Sequence, residues 1–283
     1  MEKGVSLSNW IEAHRGELDA LVFDVDGVLV IQGRALPGSV DLLHDLRQGR
    51  VLFSFLTNDP NLSRAEKASH LRKMGLAVHP EEIISSGNGL EEVVQENALG
   101  GELFFVMGDF GNPCYAAQAG LRVTRKIEDL PDCRGVIVNE ENFDWKRTVN
   151  SVLNFFISKP EGVCIVPNPD EFFPLGSGQI EIAAGGIARF IKQVLGRYGV
   201  EVEPLYLGKP YNPIFQSNHR ELERRRGQAV EPQRVLMVGD SLAADILGAN
   251  NYGYRSALVL TGLTDRRTLQ SSWIQPELVF EKL

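Results

Sequence analysis

The chain has 283 residues, 43% hydrophobic and 23% charged, a composition that suits a globular protein of one large or two ordinary domains. Its net charge of −8 excludes a global field that would draw nucleic acid or an acidic membrane. No apolar run approaches the roughly 18 residues of a membrane span.

The start, "MEKGVSLSNW", lacks the basic head and apolar block of a signal peptide. Cys114, Cys133 and Cys164 are odd in number and carry no zinc spacing, which suits a reducing compartment. The cytoplasm is the expected location, and neither nucleic acid nor membrane is an expected partner.

In chain order, "LDALVFDV" reads as a strand buried on both faces, because its apolar residues run on without alternation. The turn "ALPGS" leads to helix "VDLLHDLRQG", and "VLFSFLTN" is a second buried strand. Helix "LSRAEKASHLRKMGL", strand "EEIISSG" and helix "NGLEEVVQENALG" follow. A new series opens with strand "ELFFVMGD", helix "PCYAAQAGL", strand "GVIVNEE", helix "WKRTVNSVLNFFISK" and strand "GVCIVPN". The stretch "PNPDEFFPLGSG", Pro167 to Gly178, is too polar and too rich in Pro and Gly for a strand and is expected to be a loop. Helix "AAGGIARFIKQVLGRYG" comes next, its paired glycines suiting close packing beside that loop. After "EPLYLGKP" the pattern returns to helix "NPIFQSNHRELERRRG", strand "RVLMVGDS", helix "LAADILGANNYG" and strand "SALVLTG". The basic run "RELERRRG" reads as a solvated helix face and not as a nucleic-acid patch. Alternating strands and helices predict an α/β fold with a mainly parallel sheet. With no low-complexity linker, a second domain would be inserted between core elements.

Three buried strands stop in polar residues: Asp24 and Asp26, Thr57 and Asn58, Asp240 and Ser241. Ligands of open parallel sheets bind outside the carboxyl ends of the strands, so these residues could share one crevice, with Lys209 on a fourth loop between Gly208 and Pro210. Singly, each has a plainer explanation as a helix cap, an Asx-turn or a surface lysine. Jointly they do not, because Asp24 and Asp26 repel without a cation between them. A hard divalent ion such as Mg²⁺ removes that objection, and Asp240 and Asp245 could complete its shell. The arrangement suits holding and attacking a phosphate.

"DVDGVL" (Asp24–Leu29), "TN" (Thr57, Asn58), "GKP" (Gly208–Pro210) and "GDSLAAD" (Gly239–Asp245) resemble, in this order, the four motifs of the haloacid dehalogenase (HAD) superfamily phosphatases. "NPD" (Asn168–Asp170), "DILGANNYG" and "LVLTGLT" are similar to the p-nitrophenyl phosphatase, phosphoglycolate phosphatase and NagD-like subgroup. The resemblance spans about Leu18 to Thr264. It implies a HAD-like Rossmannoid core with a parallel sheet, residues 1–100 and 205–283, and an inserted α/β cap domain, residues 101–204, that sets specificity. A cap-to-cap homodimer is the assembly common in the family.

The implied activity is Mg²⁺-dependent hydrolysis of a small phosphorylated metabolite: a sugar phosphate, phosphoglycolate or a nucleotide. Asp24 would be the nucleophile that forms an aspartyl-phosphate, and Asp26 the acid and then the base. Gly27 would let the backbone turn so that its neighbours' N–H groups reach phosphate oxygens. Thr57 and Asn58 would bind those oxygens, and Lys209 would orient Asp24 and neutralise charge. Mg²⁺ would sit on Asp24, the Asp26 carbonyl and Asp240, with Asp245 in the shell or just outside it. In the cap, Asn168, Asp170, Glu171, Phe172 and Phe173 are candidates for facing the leaving group, Phe172 and Phe173 being equally explicable as packing.

Two departures stand out: "TNDP" replaces the Thr-Asn-Asn-Ser of many relatives, adding Asp59 and Pro60, and Ser241 is smaller than the usual residue. A dehalogenase shares the nucleophile, but Asp26 argues for phosphoryl chemistry. Mutases of the superfamily usually carry a helical cap. A silent phosphate-binding regulator on the same fold is the alternative from another class.

Overall fold

The computed structural model describes residues 6–176 and 178–283. Contacts divide the chain into two compact units. The first comprises the chain through Thr57, Arg64–Ile84 and Lys209–Leu283; the second comprises Asn58–Ser63 and Ser85–Gly208.

A six-stranded sheet organises the first unit, in the order Leu278–Phe280, Arg255–Val259, Val235–Gly239, Ala20–Phe23, Phe53–Thr57, Ile83–Ser85. The pairs of its first five strands are parallel, with Phe23 level with Val238 and Val238 level with Ala257. The non-alternating apolar runs have a simple cause: both faces are covered. Leu21, Phe23, Leu236 and Val238 enter one apolar cluster, while Ala20, Val22, Val235 and Met237 enter the other. The register brings the ends of Ala20–Phe23 and Val235–Gly239 level, so the residues that follow them emerge side by side.

The second unit has its own parallel five-stranded sheet, in the order Leu205–Tyr206, Val163–Val166, Gly135–Ile137, Leu103–Val106, Arg122–Thr124. The same alternation holds. Phe105, Val136, Cys164 and Val166 pack with helices Trp145–Ser158 and Ala184–Tyr198, and Phe104, Val106, Ile137 and Ile165 pack with helix Leu90–Glu96. That last helix explains why residues 85–100 group with the second unit. Leu90, Val93, Val94 and Leu99 lie in one cluster with Phe104, Phe110 and Tyr115.

One expectation is corrected. Residues Phe172–Gly176 of the expected loop form a strand, antiparallel to Gln179–Ile182; Ser177, within the same expected loop, lies outside the described residues. The hairpin tolerates Pro174 because a two-stranded ribbon leaves outward-facing ladder positions unpaired. Phe172 stands opposite Ile182 and Pro174 opposite Ile180, so cross-strand apolar pairs outweigh the composition of the stretch. The paired glycines behave as expected. A Cβ on Gly185 would collide with the Pro169 carbonyl, and one on Gly186 with the Glu171 carbonyl.

Candidate active site

Asp24 is the first residue after strand Ala20–Phe23, and its N–H donates to the Val238 carbonyl (2.9 Å). Asp240 is the first after Val235–Gly239, and Asp245 lies in the π-helical turn Leu242–Ile246 that opens the next helix. These three are 8%, 2% and 0% exposed. Each offers a carboxylate oxygen within 4.8 Å of the others.

Lys209, 3% exposed, is a buried cation that bridges two of them. Its Nζ donates to Asp24 Oδ1 (2.6 Å), Asp245 Oδ1 (2.7 Å) and the Leu56 carbonyl (3.1 Å). The loop carrying it turns through a cis peptide between Lys209 and Pro210. Asp245 also accepts at Oδ2 from the N–H groups of Asp240 (3.1 Å) and Ser241 (3.0 Å), so its own loop orients it. Ser241 Oγ accepts from Ala244 N–H (3.2 Å), capping the turn.

Three carboxylates face one ammonium. Burial raises the Asp24 pKa well above the carboxylate range, Lys209 pulling it back and Asp245 and Asp240 adding to it. Burial, then Asp245, pushes Asp240 up to about 7. The Lys209 ammonium is held charged because the two carboxylates outweigh its burial. Such a set of hard oxygen donors with excess negative charge fits a divalent cation.

Gly27 takes a left-handed φ of +82°, and a Cβ there would overlap Asp240 Oδ2. The glycine is therefore required by close approach as well as by the turn. Asp26 beside it is exposed, its side chain outside the three-carboxylate group.

At the end of Phe53–Thr57, buried Thr57 accepts at Oγ1 from the Nζ of buried Lys67 (3.4 Å). Sequence reasoning missed Lys67, which looks like one of several basic residues on a helix. It also missed Leu263 and Gly262. Leu263 N–H donates to Asp240 Oδ2 (2.6 Å), and a Cβ on Gly262 would overlap the same oxygen. The stretch "LTGLT" was the available signal.

The remaining candidates belong to the second unit. Asn58 Nδ2 donates to Asp170 Oδ2 (3.1 Å), and the Asn58 carbonyl accepts from Ser86 Oγ (2.8 Å). Asn168 Oδ1 accepts from Asp170 N–H (3.0 Å). Asp59, one of the departures, accepts from Asn61 N–H (2.8 Å) and so shapes its own turn. Glu171 pairs with exposed Arg189. Phe172 is 53% exposed on the hairpin, whereas Phe173 is half-buried.

A family model described as haloacid dehalogenase-like hydrolase matches residues 21–122, and one described as HAD-hydrolase-like matches residues 206–283. Chronophin from Rattus norvegicus is 28% identical over 262 residues, covering 90% of this chain and 81% of its own. Dihydroxyacetone phosphatase from Corynebacterium glutamicum is 25% identical over 260 residues, covering 92% and 87%. The crystal structure of a possible sugar phosphatase of the HAD superfamily from Cytophaga hutchinsonii superimposes with a TM-score of 0.80. It is 27% identical and covers 96% of both chains. Among the described residues, no helix is long and apolar enough to cross a membrane. The chain belongs to the haloacid dehalogenase-like hydrolases, among their phosphatases.

Proposed function

We propose that the chain hydrolyses small phosphomonoesters with Mg²⁺ through an aspartyl-phosphate on Asp24. The observation that carries this is the buried Lys209, bridging Asp24 and Asp245 with Asp240 alongside. A strand-end carboxylate gripped at one oxygen by a lysine is oriented to use the other as a nucleophile.

In the first step, an Asp24 oxygen forms a bond to phosphorus while the ester P–O bond breaks, and Asp26 gives its proton to the departing alkoxide. In the second step, ionised Asp26 takes a proton from water, whose oxygen bonds to phosphorus as the Asp24–phosphorus bond breaks. Inorganic phosphate leaves and both aspartates are restored. The exposure of Asp26 suits a group that must reach first the departing oxygen and then the attacking water. Lys209 holds charge against the phosphoryl group throughout, and Thr57, with Lys67 behind it, offers further donors. Mg²⁺, held by Asp24, Asp240 and the Asp26 carbonyl with Asp245 on the Lys209 side, would neutralise charge on the phosphoryl oxygens.

The second unit is assigned the choice of leaving group, through Asn168, Asp170, Glu171 and Phe172. The relatives named for dihydroxyacetone phosphate and sugar phosphates support short hydroxylated phosphoesters as the substrate class. The test is phosphate release from p-nitrophenyl phosphate and dihydroxyacetone phosphate, with and without Mg²⁺. Metal-dependent turnover is expected. Phosphate binding without turnover would instead mark a regulatory binding protein.

A further inference from the structure

The mechanism above makes no use of Glu140, a largely buried carboxylate at the end of the segment that continues strand Gly135–Ile137. Its two oxygens are surrounded by N–H donors from three separate stretches of the second unit. Oε1 accepts from Asn61 Nδ2 (3.1 Å), Oε2 from the backbone N–H of Ala184 (2.6 Å), and both lie near Asn168 Nδ2 (3.4 and 3.3 Å). No lysine or arginine pairs with it among the described residues. Burial, with Asp59 adding to it, pushes its pKa up to about 7 against the pull of those donors. A buried charge without a countercharge is costly.

The donors have something in common. Asn168 turns its other amide atom to the N–H of Asp170 (3.0 Å), and Asp170 accepts from Asn58 (3.1 Å). Asn61 accepts from Asn139 Nδ2 (2.9 Å). Ala184 opens the helix against which Pro169 and Glu171 are pressed, at Gly185 and Gly186. One carboxylate therefore ties together the 58–61 segment, the 168–171 loop and the helix beneath that loop.

We propose that Glu140 is a positioning residue for substrate choice, its carboxylate clasping Asn61, Asn168 and the start of helix Ala184–Tyr198 so that the 168–171 loop keeps one arrangement. This rests on the reading of that loop as the part that selects the leaving group. Because donors face both oxygens, Glu140→Gln keeps the shape but aims an amide N–H₂ at another N–H. A packing role would tolerate that change; a clasp would not.

The test compares wild type, Glu140→Gln, Asn168→Ala and the double variant by amide hydrogen exchange and by kcat/KM for dihydroxyacetone phosphate and p-nitrophenyl phosphate. Exchange over residues 58–61 and 167–171 is expected to quicken about tenfold or more in each single variant, while strands Leu103–Val106 and Gly135–Ile137 keep their protection. The ratio of the two kcat/KM values should shift about tenfold, and the double variant should add little. Should Glu140→Gln not fold, Asn168→Ala breaks the same link from the other side. Wild-type exchange in the loop, or a loosened loop with an unchanged substrate ratio, would overturn the proposal. If wild type hydrolyses neither ester while the loop still loosens in the variants, the phosphatase reading falls and the clasp stands.

Discussion

Replacing Lys209 by methionine should separate the two consequences of this site, stability and turnover. The side chain is buried and its Nζ donates to Asp24, Asp245 and the Leu56 carbonyl. Methionine fills the stem but leaves two buried carboxylates without their ammonium, beside a third. Breaking a buried pair from one side costs about 3–5 kcal/mol. At about 2–4 °C per kcal/mol for a domain of this size, the melting temperature should fall by about 6–20 °C. The assay is thermal unfolding by circular dichroism at about pH 8 with a metal chelator present. The control is Asp24→Asn, which removes one of the crowded carboxylates while keeping the shape; it should melt no lower than wild type although it cannot form the phosphoenzyme. Near pH 5 the Lys209→Met deficit should shrink, because the stranded carboxylates can then take up protons. A Lys209→Met protein that melts within about 2 °C of wild type at the higher pH would refute the reasoning.

Three further outcomes are expected. Burial and then Asp245 push Asp240 up to about 7 in the folded chain, against 3.8 for the free group. The folded state thus holds the extra proton, and metal-free stability should decline as pH rises through that window; saturating Mg²⁺ should raise the melting temperature more at about pH 8 than at about pH 6, and an equal gain would contradict the assignment. Lys67→Ala should weaken inhibition by inorganic phosphate by about tenfold to a hundredfold, the worth of one charged hydrogen bond, measured against p-nitrophenyl phosphate; an unchanged inhibition constant would remove Lys67 from the phosphate site. Gly262→Ala should weaken Mg²⁺ binding, followed by calorimetry, because the added methyl displaces Asp240 Oδ2; wild-type affinity would show that this oxygen is not needed.

The parts of the site that were legible in the sequence share a property: they are local. Asp24 and Asp240 follow strands whose apolar runs are visible, and Asp245 and Lys209 lie in short motifs around them. The parts that were not legible reach the site through packing. Leu263 N–H and Gly262 meet Asp240 only because strand Arg255–Val259 runs beside Val235–Gly239. Lys67 is one cation among several on helix Arg64–Lys73 until the fold places it under Thr57. Glu140 ends an ordinary strand-like run, and nothing nearby in sequence announces the three donors around it. The boundary at Ser85 likewise depended on which core took helix Leu90–Glu96. For the hairpin there was a usable signal, the alternation in "QIEI" of Gln179–Ile182, which outweighs the Pro and Gly of its partner strand.

The most direct test of the central claim is to trap the phosphoenzyme. Wild type, mixed with p-nitrophenyl phosphate and Mg²⁺, is quenched in acid within a turnover, reduced with borohydride and digested for peptide mass spectrometry. The account expects homoserine at position 24, the reduction product of a phosphorylated aspartate, in wild type and neither that product nor turnover in Asp24→Asn. Full turnover with position 24 never modified, or near-normal rates in the Asp24→Asn protein, would contradict it.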